Sequence, residues 1–321
     1  MYGKFYGLTR SPFELSPDPY FFYPTSRHNE ALANLAYGVQ LRKGFVVVTG
    51  EVGTGKTLLV RCLLDALSSQ KIAFAFVYNP RLSVSDFLAY VLSDFGSPSA
   101  VRTKSDMLSQ LNHYLLARFR RGTTTALIVD EAHLLSEELL EEIRLLTNLE
   151  TSQKLLQIVL VGQPELDEKL DSQGLRQLKQ RIGLRCHLGP LELEEARGYI
   201  HRRLELAGAC SHSGDIFPDE TIGLVYKFSR GIPRLINTIC ENALVSGYGK
   251  QLKQITPEII RQVAWNFRVD VITPPAPVTT LDEVEASKIA MNALIAMIQK
   301  IDRITDKDLD KRKLESGVKA E

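Results

Sequence analysis

The stretch Phe45-Val46-Val47-Val48-Thr49-Gly50-Glu51-Val52-Gly53-Thr54-Gly55-Lys56-Thr57-Leu58 decides the fold. Its first four residues are apolar without alternation, the pattern of a strand buried on both faces of a parallel sheet. Gly50 to Thr57 then fits GxxxxGK[ST], set between that strand and a helical pattern beginning at Leu58. Glycines at these positions let backbone N–H groups curl around phosphates, and the following helix N-terminus adds partial positive charge. Lys56 is expected to reach the β- and γ-phosphates of a nucleotide and the Thr57 hydroxyl to ligate Mg²⁺. Gly50, Glu51, Val52, Gly53, Thr54, Gly55, Lys56, Thr57 and Leu58 are thus the expected nucleotide-binding loop.

Downstream, Leu127-Ile128-Val129-Asp130-Glu131 reads as a second buried strand delivering two carboxylates at its C-terminal end, the edge where open α/β sheets bind ligands. Asp130 is expected to hold Mg²⁺ and Glu131 to act as general base on an attacking water. A third strand ends in Leu160-Val161-Gly162-Gln163-Pro164. Inserted between the other two, it would set Gln163 beside the γ-phosphate to orient that water. Arg181, in the basic run Gln177–Arg181, is the candidate arginine finger acting on a neighbouring subunit, with Arg176 and Arg185 as alternatives. Arg234 follows the turn Gly231-Ile232-Pro233, in a first helical turn where a cation opposes the dipole, so an external anion such as ATP accounts for it.

Outside these motifs, strands alternate with helices up to Pro190: helices over 29–41, 58–68, 83–94, 105–121 and 136–150, strands over 72–78 and 155–161, and a short last strand over 185–188. This predicts an α/β fold with a parallel sheet and helices on both faces. Beyond Pro190 only helices are expected, over 194–207, 219–229, 233–248 and 257–267, forming a lid domain. The expected organisation is an arm with the first helix (1–44), a nucleotide-binding domain (45–190), the lid (191–269), a Pro-rich linker (270–281) and a charged helix (282–321). The aromatic, Pro-rich opening is expected to lie on the following domain.

Composition excludes several classes. The 321 residues carry 39 Lys+Arg against 38 Asp+Glu, a net charge of +1, so bulk charge does not call for nucleic acid, although a local basic groove stays open. Cys62, Cys186, Cys210 and Cys240 form no CxxC pair, which fits reduced thiols rather than a disulfide scaffold. No apolar run is of bilayer length, and the N-terminus lacks the apolar core of a secretory signal. Six histidines form no metal-spaced set, and His133 is expected to hydrogen-bond near Glu131 rather than to catalyse.

Taken in order, GEVGTGKT, LIVDEAH, LVGQPEL, QRI at 180–182 and GIPRLIN resemble an AAA+ ATPase, and more narrowly the ExeA-like (general secretion pathway component A) group. The opening YGLTRSPFELSPDPYFFYPTSRHNEALANLAYGV resembles that group's N-terminal signature, and the resemblance covers roughly residues 2–268. It implies a P-loop ATPase core with a helical lid, ATP and Mg²⁺ as cofactors, ring or filament assembly with the arginine finger in trans, and an arm that contacts adenine. By the same pattern Lys56, Thr57, Asp130, Glu131, Gln163, Arg181 and Arg234 take the roles given above. Secretion members of the group continue into a membrane span, whereas a charged helix is expected here. That points to a cytoplasmic protein, or one peripheral at the inner membrane through a partner, serving secretion, pilus or exopolysaccharide assembly. An ATP-dependent DNA-binding regulator is the alternative, motivated by Arg197, His201, Arg202 and Arg203 on one lid helix.

Overall fold

Five strands form where the apolar runs lie: β1 Phe45–Gly50, β2 Ile72–Val77, β3 Thr124–Val129, β4 Leu156–Gly162 and β5 Ile182–Leu188. The computed structural model describes residues 2–68, 70–97, 103–149, 153–209 and 216–268. The expected linker and charged C-terminal helix, and Cys210, lie outside the described residues. Every strand pair is parallel, in the order β2-β3-β4-β1-β5, so β4 is inserted between β1 and β3 as the motif order requires. β5 starts three residues before the expected Arg185, with Ile182 opposite Phe45. It is an edge strand whose Gly183, Arg185 and His187 are exposed, so its apolar signal is half that of its buried neighbours.

Period-two side-chain alternation divides the core. Phe45, Val47, Leu127, Val129, Ile158 and Leu160 face α4 (Val84–Asp94), α5 (Lys104–Arg120) and α6 (Glu137–Leu146). Val46, Val48, Ala126, Ile128, Val159 and Val161 face α2 (Ser26–Gln40) and α3 (Lys56–Leu67). Ser136 caps α6 by accepting from Leu139 N–H at 3.1 Å. That helix stops at Leu146, short of the expected Glu150, where the Thr147 hydroxyl donates back to the Arg144 carbonyl at 2.6 Å.

The segment expected as a lid forms the helices Leu193–Leu206, Asp219–Ser229, Pro233–Gly249 and Pro257–Asn266. Its core includes the arm: Tyr6, Leu8, Phe13 and Phe21 are buried with Phe217, Ile236 and Cys240, and the Phe13 and Phe217 rings meet edge-to-face at 5.9 Å. The Thr9 N–H donates to the Ala207 carbonyl at 2.7 Å, and the Tyr2 hydroxyl to Glu241 at 2.6 Å. Arg203 is buried, donates to the Pro12 carbonyl at 2.6 Å and lies between the rings of Phe21 and Tyr199. It is therefore unavailable as a surface cation. Arg197 pairs with Glu194 and Asp219, and Arg202 with Glu205, so the lid-helix cluster expected to favour DNA is not a free basic patch.

Candidate nucleotide site

The loop after β1 turns into α3 through Gly55, the residue preceding the helix, at φ 100°, a conformation that suits glycine. Lys56 is buried, and its ammonium donates to the carbonyls of Gly50 at 2.6 Å and Glu51 at 2.9 Å. Burial pulls its proton affinity down, against the opposing pull of Glu131 and Asp130. β3 carries Asp130 to the same edge, where the Thr57 hydroxyl donates to Asp130 Oδ2 at 2.8 Å and the Glu131 N–H to Oδ1 at 2.9 Å. Burial pushes the Asp130 carboxyl above its usual range. A desolvated carboxylate beside a hydroxyl is an incomplete cation site that Mg²⁺ fits, since this ion takes one or two protein oxygens and completes its shell with phosphate and water. Among the described residues no cluster of three or more His, Cys, Asp or Glu offers an all-protein metal site.

Glu131 lies in the left-handed region at φ 52°, turning the chain into a short 3₁₀ segment, Ala132–Leu134. Its carboxylate is 3.5 Å from the Gln163 side-chain nitrogen and 3.4 Å from His133 Nδ1, while His133 Nε2 is 3.1 Å from that same Gln163 nitrogen. The structure thus brings Glu131, His133 and Gln163 together at the tips of β3 and β4. Lys169 holds the turn from below, donating to the carbonyls of His133 at 2.6 Å and Leu135 at 2.7 Å.

A cavity of about 30 Å³ adjoins the loop, lined by Phe22, Tyr23, His28, Leu58, Tyr199 and Pro233 among others. The arm, the loop and the C-terminal helices each contribute to it, and at this size it has room for about one or two waters. Arg234 is exposed on the same side; its N–H donates to the Gly53 carbonyl at 3.2 Å, joining the lid to the loop. Gly53, at φ 85°, permits this approach, because a Cβ there would stand 2.6 Å from the Cβ of Arg234.

Sequence reasoning missed His28. Its Nε2 faces the Thr54 carbonyl at 3.2 Å and its Nδ1 the Thr25 hydroxyl at 2.7 Å. A carbonyl only accepts, so Nε2 carries the proton and Nδ1 accepts from Thr25. The available signal was its place in the first turn of α2 behind the N-cap Thr25. Burial lowers the His28 pKa from its ordinary 6.5. The unfolded chain therefore binds more protons there, and stability falls as pH drops below the ordinary value. His28→Gln should lessen that acid-side loss, which urea titrations at pH 7 and pH 5.5 would detect; an unchanged pH slope would exclude His28 as its source.

Arg181 and Arg185 lie away from this edge. Arg181 precedes β5, whose first residue pairs with Phe45, so it is roughly 17 Å of strand from the loop in its own chain. It donates to the Thr147 hydroxyl and to Asn148 Oδ1. Arg185 pairs with Asp167 and Asp171, and Arg176 is exposed.

Residues 39–170 match the family model described as an AAA domain. The chain is 44% identical over 252 residues to General secretion pathway protein A of Aeromonas hydrophila, covering 78% of this chain and 45% of that protein, so it spans about half the length of that relative. The fold is similar to Cdc6p from Pyrobaculum aerophilum, with a TM-score of 0.62 at 16% identity over 90% of this chain and 84% of that one. It is also similar to the Aeropyrum pernix ORC2 protein solved as ADPNP-ADP complexes, with a TM-score of 0.55 at 17% identity over 76% and 70% of the two chains. The motif residues, the inserted-strand sheet and the shared sequence together make this chain a member of the AAA+ P-loop ATPases, within the ExeA-like group.

Proposed function

We propose that the chain is a Mg²⁺-dependent ATPase whose binding and hydrolysis cycle drives assembly or regulation of an envelope-associated machine of secretion, pilus or exopolysaccharide type. One observation carries the reading: a Thr57–Asp130 pair stands beside Glu131 and Gln163 at the sheet edge where Lys56 lies. The similarity to a general secretion pathway protein supports the envelope part. In this reading residues 1–44, 45–190 and 191–269 act as arm, motor and lid.

Thr57 and Asp130 would hold Mg²⁺, which when bound neutralises charge on the β- and γ-phosphate oxygens. Lys56 exchanges its two carbonyl partners for phosphate oxygens, and the loop N–H groups cradle the same chain of phosphates. Glu131 accepts a proton from the attacking water, and the Gln163 amide orients that water by hydrogen bonding. Arg234, on the lid helix docked to Gly53, senses the phosphates and couples lid position to nucleotide state.

Arg181 lies across the sheet from its own loop, so in this reading it serves the nucleotide of a neighbouring copy within a ring or filament. Arg181→Ala and Glu131→Gln subunits should each be inactive alone. Mixed, they should recover measurable phosphate release, because some interfaces pair an intact site with an intact arginine. Failure to recover in verified mixed assemblies would reassign the finger, with Arg176→Ala the next variant to mix.

A further inference from the structure

Because all five strands run parallel, the segments leading into them share one edge of the sheet, opposite the nucleotide edge. The net charge of +1 conceals a local concentration of cations at that edge. Arg42 and Lys43 precede β1, Lys71 precedes β2, Arg120 and Arg121 precede β3, and Lys154 precedes β4; residues 41–44, 70–71, 118–123 and 153–154 hold no Asp or Glu. At the other edge the charge is mixed: Glu51, Asp130, Glu131 and Glu165 stand with Lys56, Arg81 and Arg234.

The cations form a contiguous surface. Arg42 donates to Gln153 at 3.1 Å and lies over the Phe119 ring at the end of α5, while the Lys154 side chain lies against Gly44. Among the described residues none of the six has a carboxylate partner within 4.0 Å. At the β5 end, by contrast, Lys179 and Arg185 are paired with aspartates. Helix dipoles account for only part of the pattern. Arg120 lies in the last turn of α5 and Arg42 just past the end of α2, where cations complement the negative helix ends. The last turn of α3 holds no cation, however, and Lys71 and Lys154 directly precede strands.

We propose that this edge docks on the anionic surface of a phospholipid bilayer. The edge is an end-on array of loops spaced by the roughly 4.8 Å between strands, and a planar anionic sheet matches it without any particular register. Leu41, 56% exposed beside Arg42 and Lys43, is positioned to enter the headgroup layer. Single-stranded nucleic acid is disfavoured because the aromatic faces nearby already carry cations: Lys43 over Tyr37, Arg42 over Phe119 and Arg118 over Tyr114. This attachment requires no partner protein and leaves the nucleotide edge facing away from the lipid.

The full chain should co-sediment with vesicles of phosphatidylglycerol mixed with phosphatidylcholine, not with phosphatidylcholine alone, and salt should release it. Each cation removed should weaken binding about fivefold, so Arg120→Ala with Arg121→Ala should lose about 25-fold. Lys71→Glu should also weaken binding, while Arg202→Ala on the lid should leave it unchanged. ATP turnover of these variants without vesicles should match wild type, showing that the fold is intact. Binding to neutral vesicles alike, absence of vesicle binding, or indifference to the charge changes would overturn the proposal. So would the same residues supporting tighter binding to duplex DNA than to anionic vesicles.

Discussion

Purified Glu131→Gln protein should bind ATP about as tightly as wild type and hydrolyse it about 10² to 10⁴ times more slowly, the range lost when a positioned general base is removed. Gln preserves the size of the side chain and its hydrogen bonds in the left-handed turn at residue 131, so the loss falls on proton transfer. Lys56→Ala should behave differently. The buried ammonium held by the Gly50 and Glu51 carbonyls has no nearby substitute, so nucleotide affinity and turnover should fall together. Phosphate release and binding of a fluorescent ATP analogue separate the two variants. Normal turnover in Glu131→Gln would remove the base assignment, and unimpaired binding by Lys56→Ala would remove the phosphate contact.

Phe13→Ala should destabilise the protein by about 3–5 kcal/mol, the range for an aromatic ring deleted from a packed core. Phe13 has no exposed surface and packs on Phe217, although it lies in an arm with little regular structure of its own. Denaturant midpoints at constant m-value would measure the cost. A loss near zero would mean that the arm only rests on the lid.

Much of the nucleotide-binding core was legible because its signals are local. The continuous apolar run at Phe45–Val48, the glycine spacing at 50–55 and the strand ending at Asp130-Glu131 each require only neighbours in sequence. Insertion of β4 between β1 and β3 followed from the motif order and is present. The contacts not foreseen are those that distant segments create. His28 reaches Thr54 because α2 packs against β5 and α3, and Phe22, Leu58 and Tyr199 line one cavity from three separate regions. Periodicity set Arg197, His201, Arg202 and Arg203 on one helix, but it could not tell that Arg203 turns inward onto an arm nearly two hundred residues earlier. β5 was read too short because an edge strand alternates exposed with buried residues. Glu165–Leu170 and Arg176–Lys179 were missed because each is too short for a full amphipathic period.

The arm's attachment to the lid also constrains how the chain folds. Tyr2, Tyr6, Thr9 and Pro12 leave the ribosome well before their partners Glu241, Leu252, Ala207 and Arg203, which are synthesised about 190 to 250 residues later. Contacts of such high order close slowly, so the apolar arm must wait while the sheet assembles between its two halves. In that interval Phe13 and Phe21 are unprotected hydrophobic surface, a substrate for chaperones. Any early truncation product would carry the arm without its cover.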